Sequence, residues 1–245
     1  MNTIERIKNL LAPRADRDEI ADITVGRIYA AVSLKSGALG LAHLEGAHNA
    51  RAEASSSPLP KGAGDLTELL SLLGGDDPFA SVLASAAASA LAAADKADLP
   101  EGDVIDRLAV RPGERVVMVG GFPIEAALRE RGAILSIFDR SRGIGETDDL
   151  PASLAGADLV VITATTIGNN TIDGILGHIQ RARETVILGP STILEPEAFR
   201  GTPVTGLFGI IIQDAAAVTD SIARGGGTRD FIRHAKKVEA AVPHG

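Results

Sequence analysis

Hydrophobic positions in the first hundred residues change from helical spacing to strand-like alternation and back again. Residues 1–12 carry apolar side chains on one face of a helix, and residues 22–34 alternate as a half-buried strand does. In order, the predicted elements are a helix over residues 1–12, a strand over 22–34, its hairpin partner over 37–45, a loop rich in Pro, Gly and Ser over 48–65, and helices over 66–73 and 77–95. This order is typical of a small α+β unit.

From about residue 103 onward, short apolar runs alternate with helical patterns. The runs are nearly continuous in Val, Ile and Leu, which indicates strands that are buried on both faces. The predicted strands cover residues 114–121, 133–139, 157–163, 185–189 and 203–210. The predicted helical segments cover residues 123–132, 171–183, 195–200, 214–226 and 228–242. The pattern predicts a doubly wound sheet of five mainly parallel strands, which is a Rossmann-like α/β fold.

The composition changes over residues 96–103, where the second pattern replaces the first. We place the domain boundary there. A chain of 245 residues is long enough for two such units. The sequence therefore predicts a small α+β domain over residues 1–98 and a Rossmann-like domain over residues 99–245.

The composition also excludes several classes of function. The chain contains no Cys, so disulfides, thiolate nucleophiles and Cys-ligated metal sites are excluded. Its formal net charge is −8, and only 3% of its residues are aromatic. It therefore lacks the basic surface and the stacking side chains that nucleic-acid binding uses. We expect no nucleic acid among its partners.

The same sequence predicts a cytoplasmic protein with no membrane partner. The N-terminus carries charges throughout and does not resemble a signal peptide. The most apolar run, residues 79–95, is rich in Ala and Ser and is shorter than the roughly 18 residues expected of a membrane-spanning helix. This run predicts a packed helix instead.

Small and polar residues follow the predicted parallel strands, at the edge where ligands bind in open α/β sheets. They lie in four stretches, each directly after a strand. The candidate ligand-binding residues are Gly120, Gly121, Phe122, Pro123, Asp139, Thr163, Thr165, Thr166, Asn169, Asn170, Thr171, Gly189, Pro190, Ser191 and Thr192. Because the carboxyl ends of parallel strands share one edge, we expect these stretches to be neighbours.

The first two stretches each have a structural alternative. Gly120 and Gly121 can bring the backbone close to a ligand, but a tight strand–helix turn needs the same glycines. The stretch also lacks the G-x-G-x-x-G pattern of dinucleotide-binding domains. Asp139 lies where such domains place a carboxylate for ribose hydroxyls, but it can equally pair with Arg140 or cap a loop.

Residues 163–171, Thr-Ala-Thr-Thr-Ile-Gly-Asn-Asn-Thr, contain more hydroxyl and amide side chains than a turn requires. Thr171 is a candidate N-cap for the helix that follows. A single cap leaves Thr165, Thr166 and Asn169 unexplained. The stretch therefore favours a ligand-binding loop over simple turn chemistry.

Residues 189–192, Gly-Pro-Ser-Thr, have the same two interpretations. Ser191 and Thr192 either bind a ligand or cap a short helix. We expect this turn and the 163–171 loop to form one wall of a pocket, with Gly121 opposite. Replacing Asn169 or Ser191 by Ala is then expected to weaken ligand binding and to leave the melting temperature nearly unchanged.

The five histidines form no recognised metal-binding motif. On a strand, His43 and Glu45 would share one face, where they either contact the ligand or are simply solvated. The sequence contains no nucleophile elbow and no phosphate-binding lysine loop. Catalytic residues and metal ligands therefore stay unassigned at this point.

The polar stretches together resemble the putative heavy-metal chelation family. The stretches that carry the resemblance are Gly-Gly-Phe-Pro at 120–123, the 163–171 loop, Gly-Pro-Ser-Thr at 189–192 and the late run Val-Thr-Gly-Leu-Phe-Gly. The resemblance covers nearly the whole chain. It implies an enolase-N-terminal-like α+β domain followed by a Rossmann-like domain, with the site between them. Two positions depart from the family pattern, since Asp139 stands where Glu is usual and Asn170 where Gly is common.

We therefore expect the protein to bind or process a metal ion, a metal complex or a small metal-chelating compound in a cleft between the two domains. Threonine, asparagine and carboxylate oxygens favour hard cations or a polar chelator. The alternatives are an enzyme, a transferase or lyase that uses a nucleotide-like cofactor at Asp139, and a structural module. The expected cofactor is a metal ion or metal chelate, and the expected partner is a small-molecule or metal ligand. The sequence is compatible with a homodimer.

Overall fold

The computed structural model describes residues 1–44 and 60–243, and these residues form two separate sheets. The strands are β1 (Ile20–Val25), β2 (Tyr29–Leu34), β3 (Leu39–His43), β4 (Arg115–Val119), β5 (Ile134–Phe138), β6 (Leu159–Thr163), β7 (Glu184–Leu188), β8 (Gly206–Ile212) and β9 (Ala235–Ala241). Strands β1 to β3 form a sheet in that order, and the other six form a sheet of order β5-β4-β6-β7-β8-β9. The small antiparallel sheet and the mainly parallel, Rossmann-like sheet confirm the predicted fold class.

Ten α-helical segments accompany the strands in the described part of the chain. They are α1 (Thr3–Ala15), α2 (Leu66–Ser71), α3 (Pro78–Ala93), α4 (Val104–Leu108), α5 (Glu125–Glu130), α6 (Leu150–Ala155), α7 (Thr165–Gly168), α8 (Ile172–Leu176), α9 (Ala215–Ala223) and α10 (Thr228–Phe231). The helix predicted over residues 171–183 is shorter than expected and ends with α8. None of these helices has the length and apolar character needed to cross a membrane.

The stretch predicted as one strand over residues 22–34 forms two strands, because the chain reverses at Gly26. The backbone N–H of Gly26 donates to the carbonyl of Tyr29 at 2.8 Å, and Val25 pairs with Ala30 across the turn. The hairpin between β2 and β3 is confirmed. Most of the predicted 48–65 loop lies outside the described residues.

The five parallel strands of the larger sheet lie where the apolar runs predict them. β4 pairs with β5 on one side and with β6 on the other, and β7 and β8 continue outward from β6. The strand order therefore reverses between β4 and β6. Ligand crevices in open α/β sheets lie at such a reversal, outside the carboxyl ends of the strands.

The C-terminal segment forms a strand where a helix was predicted over residues 228–242. Only the single turn α10 and a short 3₁₀ turn form there, and β9 then pairs antiparallel with the free edge of β8. Val238 and Ala240 are buried at alternate positions, and Glu239 pairs with Arg107 at 3.2 Å. These long-range contacts stabilise the segment as a strand. The sheet therefore has six strands, where five were predicted.

Strand β3 lies directly against helix α3, whose many Ala residues present little bulk. A Cβ on Gly40 in β3 would lie 2.1 Å from the carbonyl oxygen of Ala86 and 2.2 Å from the backbone nitrogen of Ala90. Helix α3 begins sharply, with the Asp77 side chain capping its first N–H groups and Pro78 in its first turn. The position of β3 is therefore set by the backbone of α3.

One hydrophobic core extends through both parts of the chain. It includes Ile7 of α1, Leu83 of α3 and Ile162 of β6, which are all fully buried. The two sheets lie on either side of the predicted domain boundary between residues 98 and 99. The boundary itself stays a prediction.

Candidate functional site

The turn after β4 approaches the end of β6 closely. Gly120 has a φ of +103°, and a Cβ there would lie 2.8 Å from the Cβ of Thr163. Only glycine combines this backbone conformation with this lack of bulk. Gly120 therefore allows the two strand ends to meet at the reversal of the strand order.

The carboxylate of Asp139 caps the 3₁₀ turn that follows β5. Its Oδ1 accepts hydrogen bonds from Ser141 Oγ at 2.6 Å and from the backbone nitrogen of Arg142 at 3.2 Å. Its Oδ2 lies 4.0 Å from Nη1 of Arg142, so its ion-pair partner is Arg142 and not Arg140. A Cβ on Gly121 would lie only 2.4 Å from that guanidinium. Gly121 thus leaves room for the Asp139–Arg142 pair.

Residues 163–171, which we call the polar loop, are folded around their own side chains. The hydroxyl of Thr166 donates to the Thr163 carbonyl at 2.7 Å, and the hydroxyls of Thr163 and Thr165 lie 3.1 Å apart. The loop contains the single helical turn α7. Some of its polar side chains therefore stabilise the fold of the loop itself.

Thr171 occupies the N-cap position of α8 but does not cap the helix, contrary to the prediction. Its backbone has near-helical angles, with φ −104° and ψ −8°, so its side chain does not reach the free N–H groups of α8. Its hydroxyl instead donates to Oδ1 of Asn169 at 2.6 Å, and its backbone nitrogen donates to the same atom at 3.3 Å.

The N-terminal half of the chain holds the polar loop in place. Ser81 of α3 donates to the carbonyl of Gly168 at 2.6 Å and accepts from the backbone nitrogen of Gly74 at 2.7 Å. Nδ2 of Asn170 donates to the carbonyl of Gly74 at 3.0 Å. Asn170 adopts a left-handed conformation, with φ +57°, which Asn tolerates better than most residues.

The turn at residues 189–192 contains two hydroxyls that form different hydrogen bonds. Ser191 is buried, and its Oγ accepts a hydrogen bond from the backbone nitrogen of His43 at 3.0 Å. Thr192 donates to the carbonyls of Gly189 and Phe208, both at 2.8 Å. Neither residue caps the 3₁₀ turn that follows, contrary to that alternative. Ser191 thus connects this turn to the end of β3.

A cavity lies where β3, α3, the polar loop and the 189–192 turn meet. It is lined by Ala42, His43, Val82, Ser85, Thr165, Gly168, Asn169 and Ser191. Its volume is about 20 Å³, which is the space that one or two water molecules need. An imidazole, three hydroxyls and an amide converge there. Within residues 1–44 and 60–243, no three His, Asp or Glu side chains lie close enough together to hold a metal ion.

Four of the candidate site residues line this cavity, and they come from both parts of the chain: His43, Thr165, Asn169 and Ser191. The other candidates within the described chain do not line it, namely Gly120, Gly121, Phe122, Pro123, Asp139, Thr163, Thr166, Asn170, Thr171, Gly189, Pro190 and Thr192. The wall opposite the polar loop is formed by β3 and α3, where Gly121 was expected. Glu45 lies outside the described residues.

Helix α3 contributes to the cavity, although its sequence predicted only a packed helix. Val82 and Ser85 line it, together with Ala42 and Gly168. Ser81, Ser85 and Ser89 recur every four residues in an otherwise apolar helix and are all buried. This row of hydroxyls on one helical face is the sequence signal that could have identified Ser85.

The aromatic ring of Tyr29 packs against the ring of His43. The two rings meet edge to face, with centroids 5.2 Å apart, and Tyr29 packs in the same way on Phe231 at 5.3 Å. The Tyr29 hydroxyl is hydrogen-bonded to Oγ1 of Thr228 at 2.8 Å. Burial raises the pKa of Tyr29 above its ordinary value, while the hydrogen bond with Thr228 opposes that shift. Tyr29 therefore remains a neutral phenol around neutral pH.

Comparison with protein families shows where the chain belongs. Residues 103–241 match the model of the DUF364 family, which is described as "Putative heavy-metal chelation". The chain belongs to this family. Residues 8–92 match a second family model, DUF4213, that has the same description. The resemblance drawn from the strand-end stretches is thus confirmed.

Two solved structures of the DUF364 family share the fold over their full length. A protein with unknown function from Pyrococcus horikoshii has a TM-score of 0.84 and 21% sequence identity, and the match covers 98% of this chain and 100% of that one. A protein with unknown function from Desulfitobacterium hafniense DCB-2 has a TM-score of 0.75 and 20% identity, with 97% and 98% covered. Among curated proteins, none matches the chain.

Proposed function

We propose that the protein binds a metal ion or a small metal-chelating compound in the cavity between β3, α3 and the polar loop. The observation that carries this proposal is the convergence of His43, Thr165, Asn169 and Ser191 on one small cavity. They come from three separate places in the sequence, namely the end of β3, the polar loop and the 189–192 turn. The description of the DUF364 family supports the same ligand class.

The chemistry of the lining fits a metal that keeps ligands of its own. An imidazole is a good ligand for zinc, nickel, copper or iron, whereas neutral hydroxyl and amide oxygens bind such ions weakly. His43 would therefore coordinate the metal. Because the other described lining residues offer only such weak ligands, water or a chelating compound would fill the remaining coordination positions. A bound metal would supply a positive charge beside the imidazole.

The hydroxyls and the amide would orient those other ligands by hydrogen bonds. Ser191 and Asn169 both present polar atoms to the cavity, and groups that orient metal ligands typically affect affinity tenfold to a hundredfold. The contacts between Ser81 and Gly168 and between Ser191 and His43 fix the walls before any ligand arrives. The site is thus preorganised by both parts of the chain.

Isothermal titration calorimetry with Zn²⁺ and Ni²⁺, each alone and with citrate, tests the proposal. We expect His43→Gln to weaken binding at least about tenfold, because the nitrogen ligand is lost. His178→Gln is the matched control, since His178 is exposed and lies outside the cavity. Thermal melting of both variants checks the fold. Equal affinities of the two variants, or no binding of any of these probes by the wild type, would contradict the proposal.

A further inference from the structure

Resting on the proposed function, we infer that the part of the cavity opposite His43 holds an anionic oxygen group of the chelator, such as a carboxylate, while the metal lies at His43. Three side chains that line the cavity can donate a proton to such a group: Ser191, Asn169 and Ser85.

Ser191 has its hydroxyl proton left for a ligand. Its Oγ already accepts from the backbone nitrogen of His43 at 3.0 Å, and the side chain is only 3% exposed. One lone pair of this hydroxyl is therefore engaged, and its own proton remains to be donated. Since Ser191 lines the cavity, a ligand oxygen there can accept that proton.

Asn169 is engaged on its acceptor side in the same way. Its Oδ1 accepts from the nitrogen and from the hydroxyl of Thr171. A carboxamide that uses its oxygen in this manner has its NH₂ group available as a donor. Asn169 therefore presents a donor to the cavity that it lines.

Ser85 supplies an independent indication that a ligand belongs in the cavity. The residue is only 2% exposed and lines the cavity, yet its hydroxyl forms no hydrogen bond within the described part of the chain. Ser81, one turn earlier on the same helix, is fully engaged with Gly168 and Gly74. Buried hydroxyls normally have a partner. A ligand oxygen in the cavity would provide one for Ser85.

The charges of the lining agree with an anion. Of the described residues that line the cavity, none is Asp or Glu. A cation beside Ser85, Asn169 and Ser191 would face hydroxyl and amide protons without a compensating negative charge, whereas an anionic oxygen would accept from them in charge-assisted hydrogen bonds. The volume of about 20 Å³ admits the two oxygens of one carboxylate but not a nucleotide.

The variant Asn169→Asp tests the sign of the bound charge. Aspartate has the shape of asparagine and keeps an oxygen for Thr171, but it replaces the donor by a negative charge. With citrate and with Zn²⁺–citrate as probes in calorimetry, we expect a loss of at least tenfold in affinity. Affinity for these probes that is unchanged or increased in Asn169→Asp would overturn the inference, because a negative charge at residue 169 would then not repel the bound group.

The variant Ser85→Ala tests the same inference without changing a charge. We expect about tenfold weaker binding of citrate and an unchanged melting temperature, because this hydroxyl bonds no described residue. Ser89→Ala is the matched control, since Ser89 lies on the same face of α3, is buried and does not line the cavity. Equal citrate affinities of Ser85→Ala and Ser89→Ala would overturn the inference.

The two proposals can fail separately. If His43→Gln weakens Zn²⁺ binding while Asn169→Asp and Ser85→Ala bind citrate normally, the metal site stands and the anion inference is wrong. If the wild type binds neither the metals nor citrate, the proposed function itself is wrong.

Discussion

Ser191 joins the two walls of the cavity through a single hydrogen bond. Its buried Oγ accepts from the backbone nitrogen of His43, which is the last residue of β3. As a candidate binding residue it was expected to contribute little to stability. The structure gives it a second role, because a buried N–H group without an acceptor is costly.

We therefore expect Ser191→Ala to lower the free energy of unfolding by about 1–3 kcal/mol, since the His43 N–H would lose its acceptor. Ser85→Ala is the matched comparison. It removes another buried serine hydroxyl from the same cavity, but one that bonds no described residue. Urea denaturation of both variants measures the difference. If Ser191→Ala unfolds at the same urea concentration as Ser85→Ala, the hydrogen bond between the His43 backbone and Ser191 does not stabilise the protein.

At the scale of secondary-structure elements, the packing of β3 on α3 determines the shape of the cavity. Both elements contribute lining residues. At Gly40 the backbone of β3 lies directly against the backbone of α3. The hairpin and the Ala-rich helix could each be predicted from the sequence, because alternation and helical spacing are local signals. Their contact could not, since it depends on which face of α3 meets the sheet.

Gly40→Ala is expected to destabilise the protein by about 3 kcal/mol or more, because the new methyl group would overlap the backbone of α3 and neither backbone can move easily. Gly174→Ala is the control. Gly174 lies in α8 with nothing within 4 Å of the added methyl group, so alanine should change stability by less than about 1 kcal/mol, in the favourable direction. Thermal and urea unfolding distinguish the two. A Gly40→Ala protein as stable as the wild type would show that β3 and α3 are packed less closely.

Strand β9 shows why one element could not be predicted. The apolar residues of the C-terminal segment are compatible with a helix, and no local signal favours a strand. The segment forms a strand because β8 offers a free edge and because Glu239 meets Arg107, which is more than a hundred residues away. Tertiary context overrides local preference here.

At the scale of the whole molecule, the site combines residues that the chain brings together from its two parts. The polar stretches after the strands could be recognised as candidates, because each follows a buried strand at a known edge of the sheet. The sequence did not show which of them share a cavity. Gly120 allows two strand ends to meet and Asp139 caps a 3₁₀ turn, while Ser85 lines the cavity from a helix whose sequence predicted packing alone.

The central claim is that this cavity binds a metal-chelating compound, with His43 beside the metal. A crystal structure of the wild-type protein soaked with Ni²⁺ and citrate tests it most directly, because nickel can be located by its anomalous scattering. We predict a nickel peak about 2.0–2.2 Å from a ring nitrogen of His43, with citrate oxygens within hydrogen-bonding distance of Ser85, Asn169 and Ser191. Nickel and citrate bound only elsewhere, with His43 free of both, would contradict the account.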